Sequence, residues 1–328
     1  MVRGGPLKNV KGIWYKEKGK AEQAGPADPP ADLDRLPFPC RELTPYRNFY
    51  SLAGDTCATT MITSRGCPYR CTYCIRSRFL GVYRARSAAS VTAEIRHCLG
   101  LGIGEFYFWD DTFTLDRERT MEICDRIIDE KLDIRWSVMT RVDRVDRGLM
   151  QRMREAGCTR IRFGNESGSQ AILDTLKKGI TPEQIREAFR GAAEAGVAAN
   201  SYFMIGSPGE TKKQVRETLK LAKELNASFT NFSIVTLYPG TELYETALAR
   251  GILKRDCWRE FARNPGADFQ PPLWEENFSR QDLIRLQART YRSYYLRPSF
   301  IIRKLREVST WKGLKEIARN AARLFRGR

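Results

Sequence analysis

The sequence predicts an α/β fold, a partial (β/α)6 barrel of the TIM type, and two observations predict it. From residue 59 onward, short apolar runs rich in β-branched residues alternate with longer stretches of helical period. Glycines follow the helical stretches where a C-terminal cap favours glycine, namely at Gly102, Gly157, Gly196 and Gly251. Six βα units of roughly 30 residues imply a parallel sheet with right-handed crossovers that curls into part of a barrel.

The alternation also gives the boundaries of the predicted elements. Strands are predicted at about 59–64, 105–110, 134–140, 159–165, 199–206 and 229–237. Helices are predicted at about 88–101, 116–130, 147–156, 182–195, 211–225 and 241–250. Functional side chains of such a sheet belong at the C-terminal ends of its strands.

Two segments flank the predicted barrel, which we place at residues 59–255. Residues 1–58 contain a strand-like piece, a polar turn and a stretch rich in Pro, Ala and Asp, which predicts a hairpin and a linker. Residues 256–328 are predicted to be a helical extension. Its basic end, from Arg297 to Arg328, holds ten Lys and Arg against two Glu, with apolar residues at helical spacing. We expect this end to form an amphipathic helix that meets a membrane surface or a partner.

Composition excludes several classes of protein. The chain has 328 residues, 56 Lys and Arg, 39 Asp and Glu, and a net charge of +17 with its one histidine neutral. No apolar run reaches the ~18–20 residues of a bilayer span, and the start lacks a secretory signal. A single histidine excludes an HExxH zinc site. Nine cysteines without a signal peptide predict a reducing, cytoplasmic location, with peripheral contact at the inner face of the membrane through the basic end.

Three cysteines form the strongest chemical signal. Cys67, Cys71 and Cys74 follow directly on the first predicted strand with the spacing Cys-x3-Cys-x2-Cys. A tetrahedral zinc site would need a fourth Cys or His, yet Cys57 lies ten residues earlier and Cys98 lies in a predicted helix. Three thiolates on a four-iron cluster leave one iron open to a substrate or cofactor, whereas ordinary ferredoxin clusters use four.

The triplet, with Tyr73 just before its last cysteine, resembles the signature loop of the radical S-adenosylmethionine superfamily. Further segments resemble the subgroup that usually carries an N-terminal cobalamin-binding domain and includes methyltransferases and the anaerobic tetrapyrrole ring cyclase. These segments are residues 108–113, 162–169, 205–211 and 237–241, and the resemblance covers about residues 8–300.

The sequence departs from this subgroup in one respect. The family's cobalamin domain would precede residue 8 and is missing, and so is its Asp-x-His-x-x-Gly loop. His97 and Gly100 give only His-x-x-Gly, with Ile95 in place of the aspartate and a predicted helix around them. We therefore expect either a truncated or split gene product, or an enzyme without bound cobalamin.

The resemblance implies two cofactors, a [4Fe–4S] cluster held by the three cysteines and S-adenosylmethionine. Cobalamin supplied by a separate domain or chain stays open. The implied reaction is reductive cleavage of S-adenosylmethionine and functionalisation of an unactivated carbon, by C-methylation or by oxidative cyclisation. The implied partners are a small-molecule, lipid or tetrapyrrole-like substrate and an electron donor such as flavodoxin or ferredoxin. Nucleic acid is not expected, because the positive charge is concentrated in the tail.

The resemblance also implies contacts to the methionine part of S-adenosylmethionine. Asp110 and Asp111 end the second strand, where the superfamily receives the amino group, and carboxylates suit an ammonium. Thr140 and Arg141 end the third strand, where a guanidinium could meet the carboxylate.

The adenosine part would meet residues from other positions. Tyr73 would pack near the adenine, and Glu166, which ends the fourth strand, would accept hydrogen bonds from the ribose hydroxyls. Ile205 and Gly206 on the fifth strand would lie along the adenine.

Other interpretations stay open. Asp111 and Glu166 could serve only as helix caps, and Arg141 could pair with Asp143 or Asp146 at the surface. The alternative functions are a zinc-binding or nucleic-acid-binding module and an inactive fragment of a cobalamin-dependent enzyme.

Overall fold

The computed structural model of the protein describes residues 5–27, 29–49, 56–75 and 82–307. Its strands, in chain order, are β1 (Trp14–Glu17), β2 (Lys20–Gln23), β3 (Cys57–Met61), β4 (Ser64–Arg65), β5 (Arg84–Ala85), β6 (Ile103–Phe108), β7 (Arg135–Thr140), β8 (Cys158–Glu166), β9 (Ala198–Ile205) and β10 (Phe229–Ile234). Strands β1 and β2 form an antiparallel hairpin, and β4 pairs with β5. The other six make one parallel sheet in the order β10-β9-β8-β7-β6-β3. This curled half-barrel confirms the predicted fold class.

The helices follow the strands in the predicted alternation. They are α1 (Ala88–Gly100), α2 (Arg117–Asp129), α3 (Arg147–Glu155), α4 (Gln170–Thr175), α5 (Pro182–Glu194), α6 (Lys212–Leu225), α7 (Glu242–Ala249), α8 (Cys257–Arg263), α9 (Arg280–Tyr295) and α10 (Pro298–Glu307). Side-chain caps start several of them, and Thr181 at the start of α5 forms a complete capping box with Gln184. The four glycines predicted to end helices all have positive φ, between 70° and 91°.

The six predicted strands and six predicted helices are present, but the last and the first strand each end three residues earlier than predicted. The last was predicted at 229–237, and β10 ends at Ile234. The first was predicted at 59–64 but ends at Met61, and the chain turns at Thr63. The side chain of Asp110 binds the Thr63 backbone there, which fixes the turn. Helix α9 was not predicted individually within the extension, although Ser279 and Asp282 form a capping box at its start.

The two faces of the sheet differ in chemistry. On the outer face, large apolar residues of successive strands pack under the helices, and Phe108 meets Trp136 edge-to-face at 5.4 Å between ring centroids. On the inner face the same strands carry polar and charged residues. Strand β8 shows the alternation, because Ile161 and Phe163 are fully buried in the core while Arg160 and Arg162 are half-buried. The fold therefore provides a polar interior beneath the C-terminal edge.

Helix α9 covers the free edge of the sheet at β10. Tyr295 accepts a hydrogen bond from the Thr230 backbone nitrogen at 2.9 Å and donates to the Thr230 carbonyl at 2.6 Å. Tyr291 accepts from the Phe232 nitrogen at 3.1 Å. These hydroxyls satisfy backbone groups that an edge strand otherwise leaves open to pairing with another chain.

The basic end of the chain is only partly described. Residues 297–307 form α10, whereas the apolar residues predicted at helical spacing between 314 and 325 lie outside the described residues. The amphipathic helix therefore stays a prediction. Within the described ranges, each helix is too short or too polar to cross a bilayer.

Candidate active site

The loop that carries the three cysteines leaves β4 at the C-terminal edge of the half-barrel, and Asp110 holds its start. One oxygen of Asp110 accepts from the Thr63 nitrogen at 2.7 Å, and the other accepts from the hydroxyls of Thr63 and Ser64 at 2.6 Å each. The carboxyl is only 1% exposed, and this burial raises its pKa. Asp110 lies just after β6 and therefore ties the cysteine loop to the end of that strand.

Arg141 holds the middle of the loop. Its guanidinium stacks on the Tyr69 ring, with the central carbon 3.6 Å from the ring centroid, which is a close cation–π contact. It also forms a bidentate pair with Asp143 at 2.8 and 3.0 Å and donates to the Lys178 carbonyl at 2.7 Å. The pairing with Asp143 was one of the open alternatives, but the pair is buried and not on the surface, with Arg141 5% exposed.

Two backbone hydrogen bonds fix the last part of the loop. The Thr72 nitrogen donates to the Leu176 carbonyl at 3.0 Å, and the Thr72 carbonyl accepts from the Leu243 nitrogen at 2.8 Å. A turn follows, in which the Cys74 nitrogen donates to the Cys71 carbonyl at 3.1 Å. Neighbouring elements thus hold the segment that presents the second and third thiols.

The three thiols differ in burial. Cys71 is buried, and Cys67 and Cys74 are half-buried, with the Cys67 sulfur 3.9 Å from the Thr112 hydroxyl. Burial raises the pKa of the Cys71 thiol, while the nearby Lys178 and Arg141 cations oppose that rise. Cations beside a thiol favour the thiolate, the form that ligates metal.

The donor set fits a cluster better than a single ion. Among the residues that the structure describes, no group of three or more His, Cys, Asp or Glu side chains is arranged to hold one metal ion. Thiolates that each bind a different iron of a cluster lie further apart than thiolates that share one ion. Three thiols on one anchored loop, with cations behind them, suit the three-thiolate ligation of a four-iron cluster.

Tyr73, Glu166 and Lys178 form a buried polar group beside the loop. One oxygen of Glu166, Oε1, accepts from the Tyr73 hydroxyl at 2.9 Å and from the Lys178 ammonium at 2.8 Å. Burial is the largest cause that raises the pKa of Tyr73, followed by the Glu166 charge. Both hydrogen bonds that the described residues make to this carboxylate end on Oε1.

Glu166 reaches this position through an unusual backbone conformation. Its φ is +64°, in the left-handed region, so the carboxylate folds back over Gly164. A Cβ at Gly164 would come within 2.7 Å of Glu166 Oε1 and 3.2 Å of Lys178 Nζ. Glycine at position 164 therefore makes room for the ion pair.

The fifth strand of the predicted series, β9, ends in a tight turn built on Glu210. The carboxylate accepts from the Gly206 nitrogen at 2.6 Å and the Ser207 nitrogen at 3.1 Å, and burial raises its pKa to about 7. Ile205 is fully buried in the hydrophobic core on the outer face. Its side chain thus points away from the interior, because side chains alternate along a strand, and only its backbone could lie along an adenine.

The remaining predicted contacts occupy polar surroundings. The Thr140 hydroxyl is buried and lies 2.6 Å from that of Thr114, so it is already paired. Asp111 is half-buried directly after Asp110. The assignment of these side chains to S-adenosylmethionine stays a prediction.

Lys178, a second buried cation of the site beside Arg141, was not predicted from the sequence. It stands beside Lys177 in a Lys-Lys-Gly turn, and composition and spacing do not distinguish the two. In the structure Lys177 is exposed and pairs with Glu242, whereas Lys178 is 6% exposed and pairs with Glu166. Tyr69 was likewise missed, since an aromatic residue inside a cysteine loop has no pattern that predicts stacking.

The chain's one histidine does not fit cobalamin. His97 lies on α1 with its side chain 40% exposed, and Nε2 is 3.4 Å from a Glu42 oxygen. It belongs to a helix and not to a ligand loop, so the described residues offer cobalamin no histidine of the expected kind.

Known proteins resemble this chain over most of its length. The model of the Radical SAM superfamily matches residues 61–222. A protein named uncharacterized methyltransferase PH0819, from Pyrococcus horikoshii, is 37% identical over 310 residues, which are 94% of this chain and 66% of the relative. An anaerobic magnesium-protoporphyrin IX monomethyl ester cyclase from Rubrivivax gelatinosus is 29% identical over 240 residues, 72% of this chain and 43% of the cyclase.

The fold has solved counterparts. The cobalamin-dependent S-adenosylmethionine radical enzyme OxsB superposes with a TM-score of 0.69 at 18% identity, over 95% of this chain and 51% of OxsB. At that identity the likeness concerns the fold alone. The chain thus spans between about two fifths and two thirds of the length of these proteins.

Proposed function

Because this chain belongs to the radical S-adenosylmethionine superfamily, we propose that it is an enzyme that functionalises an unactivated carbon of an organic substrate. A [4Fe–4S] cluster on Cys67, Cys71 and Cys74 would supply the electron that cleaves S-adenosylmethionine reductively. The observation that carries the proposal is the cysteine loop itself, fixed at the C-terminal edge by Asp110 and Arg141. Active residues of such barrels lie at this edge.

The chain's own residues would bind and orient S-adenosylmethionine. Arg141 keeps one buried nitrogen, Nη1, without a hydrogen-bond partner in the described part of the chain, and it lies next to Lys178. Two adjacent cations suit the methionine carboxylate. Glu166 has Oε2 available for the ribose hydroxyls, and Tyr73 borders a cavity of about 580 Å³ that also contains Met204 and Tyr238.

Anaerobic reconstitution tests the proposal. We expect about four irons and four sulfides per chain, with visible absorption, an EPR signal after reduction, and cleavage of S-adenosylmethionine. Cys67→Ala, Cys71→Ala and Cys74→Ala should each lose the cluster signals. Cys40→Ala is the matched control, because Cys40 is exposed and lies in the N-terminal linker. Retention of the signals in all three variants would contradict the proposal.

The same experiment separates the alternatives. One tightly bound zinc and no iron would support a zinc module, whereas an intact cluster without cleavage of S-adenosylmethionine would support an inactive fragment. Product analysis with substrate distinguishes C-methylation from oxidative cyclisation. If methyl transfer uses cobalamin, we propose that a separate domain or chain supplies it, since His97 is not placed as a ligand.

Two partners belong to the proposal as well. A flavodoxin or ferredoxin would deliver the electron, and cleavage driven by reduced flavodoxin in place of a chemical reductant tests this. The basic segment from residue 297 to 328 would contact an anionic surface, either a membrane at its inner face or a partner chain. We place the activity in the cytoplasm, where cysteines stay reduced.

A further inference from the structure

Arg162 is a cation on the inner face of the half-barrel, and no anionic partner for it lies among the residues that the structure describes. It is half-buried on β8, two residues before Gly164, which lies under the Glu166–Lys178 pair. Two residues along a strand span about 7 Å. In the described ranges Arg162 makes no hydrogen bond or ion pair to another side chain, and its Nη1 is buried and unsatisfied. Leaving such a group unpaired costs free energy unless a ligand satisfies it.

Aromatic rings hold the Arg162 guanidinium in place. Its central carbon lies 5.5 Å from the ring centroid of Tyr107 and 5.8 Å from the ring centroid of Trp109. Trp109 is 47% exposed although it directly precedes the buried Asp110. The two rings therefore form a shelf that fixes the cation and leaves aromatic surface free.

Neighbouring strands add further unsatisfied polar atoms. Asn200 on β9 is the register partner of Arg162, is 7% exposed, and its carbonyl oxygen has no partner among the described residues. Ser137 on β7 is 3% exposed with an unsatisfied hydroxyl, and it pairs in register with Tyr107. Three neighbouring strands thus present, on one face of the sheet, buried polar atoms that have no partner among the described residues.

The net charge of this interior favours an anion. Arg160 lies two residues before Arg162 on the same face of β8 and also lacks a carboxylate partner in the part of the chain that the structure describes. The carboxylate at that end, Glu105, faces Arg135 at 3.6 Å and so leaves the two β8 arginines uncompensated. Tyr107 also borders a cavity of about 1030 Å³ whose lining is partly apolar, with Met61 and Ile62, and partly charged. An apolar body and an anionic group could therefore be bound together.

We propose that Arg162, supported by Tyr107 and Trp109, binds the anionic group of the substrate, a carboxylate or a phosphate on an apolar or aromatic body. Asn200 would add a hydrogen bond in which its side-chain amide nitrogen, Nδ2, donates to the bound group. This inference rests on the proposed function, because that function makes the bound ligand the substrate of the enzyme. It makes Arg162 a residue that determines specificity and not one that holds the cofactor.

A pair of fluorescent probes tests the charge recognition. Anilinonaphthalene sulfonate and phenylnaphthylamine share one ring system, and only the first carries an anion. With the full chain after anaerobic reconstitution, we expect saturable binding of the sulfonate. Arg162→Gln should weaken that binding about tenfold, as expected for one charge-assisted hydrogen bond, and change binding of the neutral probe less than twofold. Arg162→Lys should restore part of the loss, because it keeps the charge but not the planar fork.

The controls separate this inference from simpler explanations. Arg190→Gln removes the same charge from an exposed position on α5 and should leave both probes unaffected. Competition with benzoate and with phenyl phosphate identifies the preferred anion, and displacement by neither would overturn the inference. Displacement of the sulfonate by S-adenosylhomocysteine would also overturn it, since Arg162 would then belong to the cofactor site.

Folding and function have separate readouts. If Arg162→Gln does not fold, shown by loss of cooperative unfolding, Asn200→Ala is the second variant and should weaken only the anionic probe. Equal loss of both probes in that variant would refute charge recognition. A chain that binds the sulfonate through Arg162 but assembles no cluster would contradict the proposed function alone. A chain that assembles the cluster and cleaves S-adenosylmethionine but binds both probes equally would contradict this inference alone.

Discussion

Adjacent lysines allow a sharp test of the buried pair at the site. Lys178 and Glu166 lie 2.8 Å apart with side chains 7% and 10% exposed, whereas Lys177 and Glu242 lie 2.6 Å apart with side chains 54% and 42% exposed. Removing one partner of a buried pair leaves a desolvated charge and costs about 3–5 kcal/mol. Breaking an exposed pair costs about 0–1 kcal/mol. Because Tyr73 still donates to Glu166, we expect about 3 kcal/mol for Lys178→Met and under about 1 kcal/mol for Lys177→Met.

Chemical unfolding of the reconstituted chain under anaerobic conditions measures both values. The double variant Lys178→Met, Glu166→Gln should recover most of the loss, because it leaves no buried charge uncompensated. Lys178→Met should also weaken binding of S-adenosylmethionine in calorimetry, while Lys177→Met should not. Equal destabilisation by the two single variants would refute the burial argument, and no recovery in the double variant would show that Lys178 acts by packing and not by charge.

Three further predictions follow from the site and the tail. Burial raises the pKa of Glu210 from 4.5 to about 7, so the folded chain keeps a proton that the unfolded chain loses. The free energy of unfolding should therefore fall by about 3 kcal/mol as the pH rises between these values. Glu210→Gln should abolish this decrease in unfolding experiments at pH ~4.5 and ~7.5. Asp110→Ala removes three hydrogen bonds to the cysteine loop and should lower iron content together with cofactor affinity, whereas lower affinity at full iron content would indicate a direct cofactor contact. Removal of residues 308–328, which spares the contacts of Phe300 with Tyr294, should abolish flotation with anionic liposomes at low salt, and equal flotation of both chains would exclude the tail as the contact.

Periodicity predicted the fold because each element agrees with its neighbours. Alternating apolar runs, helix-start residues and glycine caps all depend on local chemistry, so the six strands and six helices of the barrel could be placed within a few residues. Two strands end three residues early, and for one of them, β3 at Met61, the turn that follows depends on a long-range contact from Asp110. Helix α9 was missed because it follows a stretch rich in Trp, Phe and Pro, and its capping box was the local signal that could have located it.

The site was predictable where spacing alone defines the chemistry. Three thiols within eight residues of one loop must lie near one another, so Cys67, Cys71 and Cys74 could be named from the sequence. Lys178 could not, since its position depends on which of two adjacent lysines turns inward after α4. Asp110 and Glu166 lie at strand ends, as predicted. The sequence could not show that donors of the cysteine loop already bind Asp110, or that Lys178 already binds Glu166.

The hydrogen bonds to Asp110 give this strand-end carboxylate a structural role. A carboxylate that is buried away from water needs hydrogen-bond donors from the protein, and Asp110 receives three from the segment just before the cysteines. Arg141 uses its guanidinium in the same way, on Tyr69 within the loop. The charged residues at the edge therefore hold the cysteine loop rigid, and ligating side chains that are held rigidly position a cofactor within the tolerance that its chemistry requires. Loss of such an anchor should misplace the thiols even when all three cysteines are present.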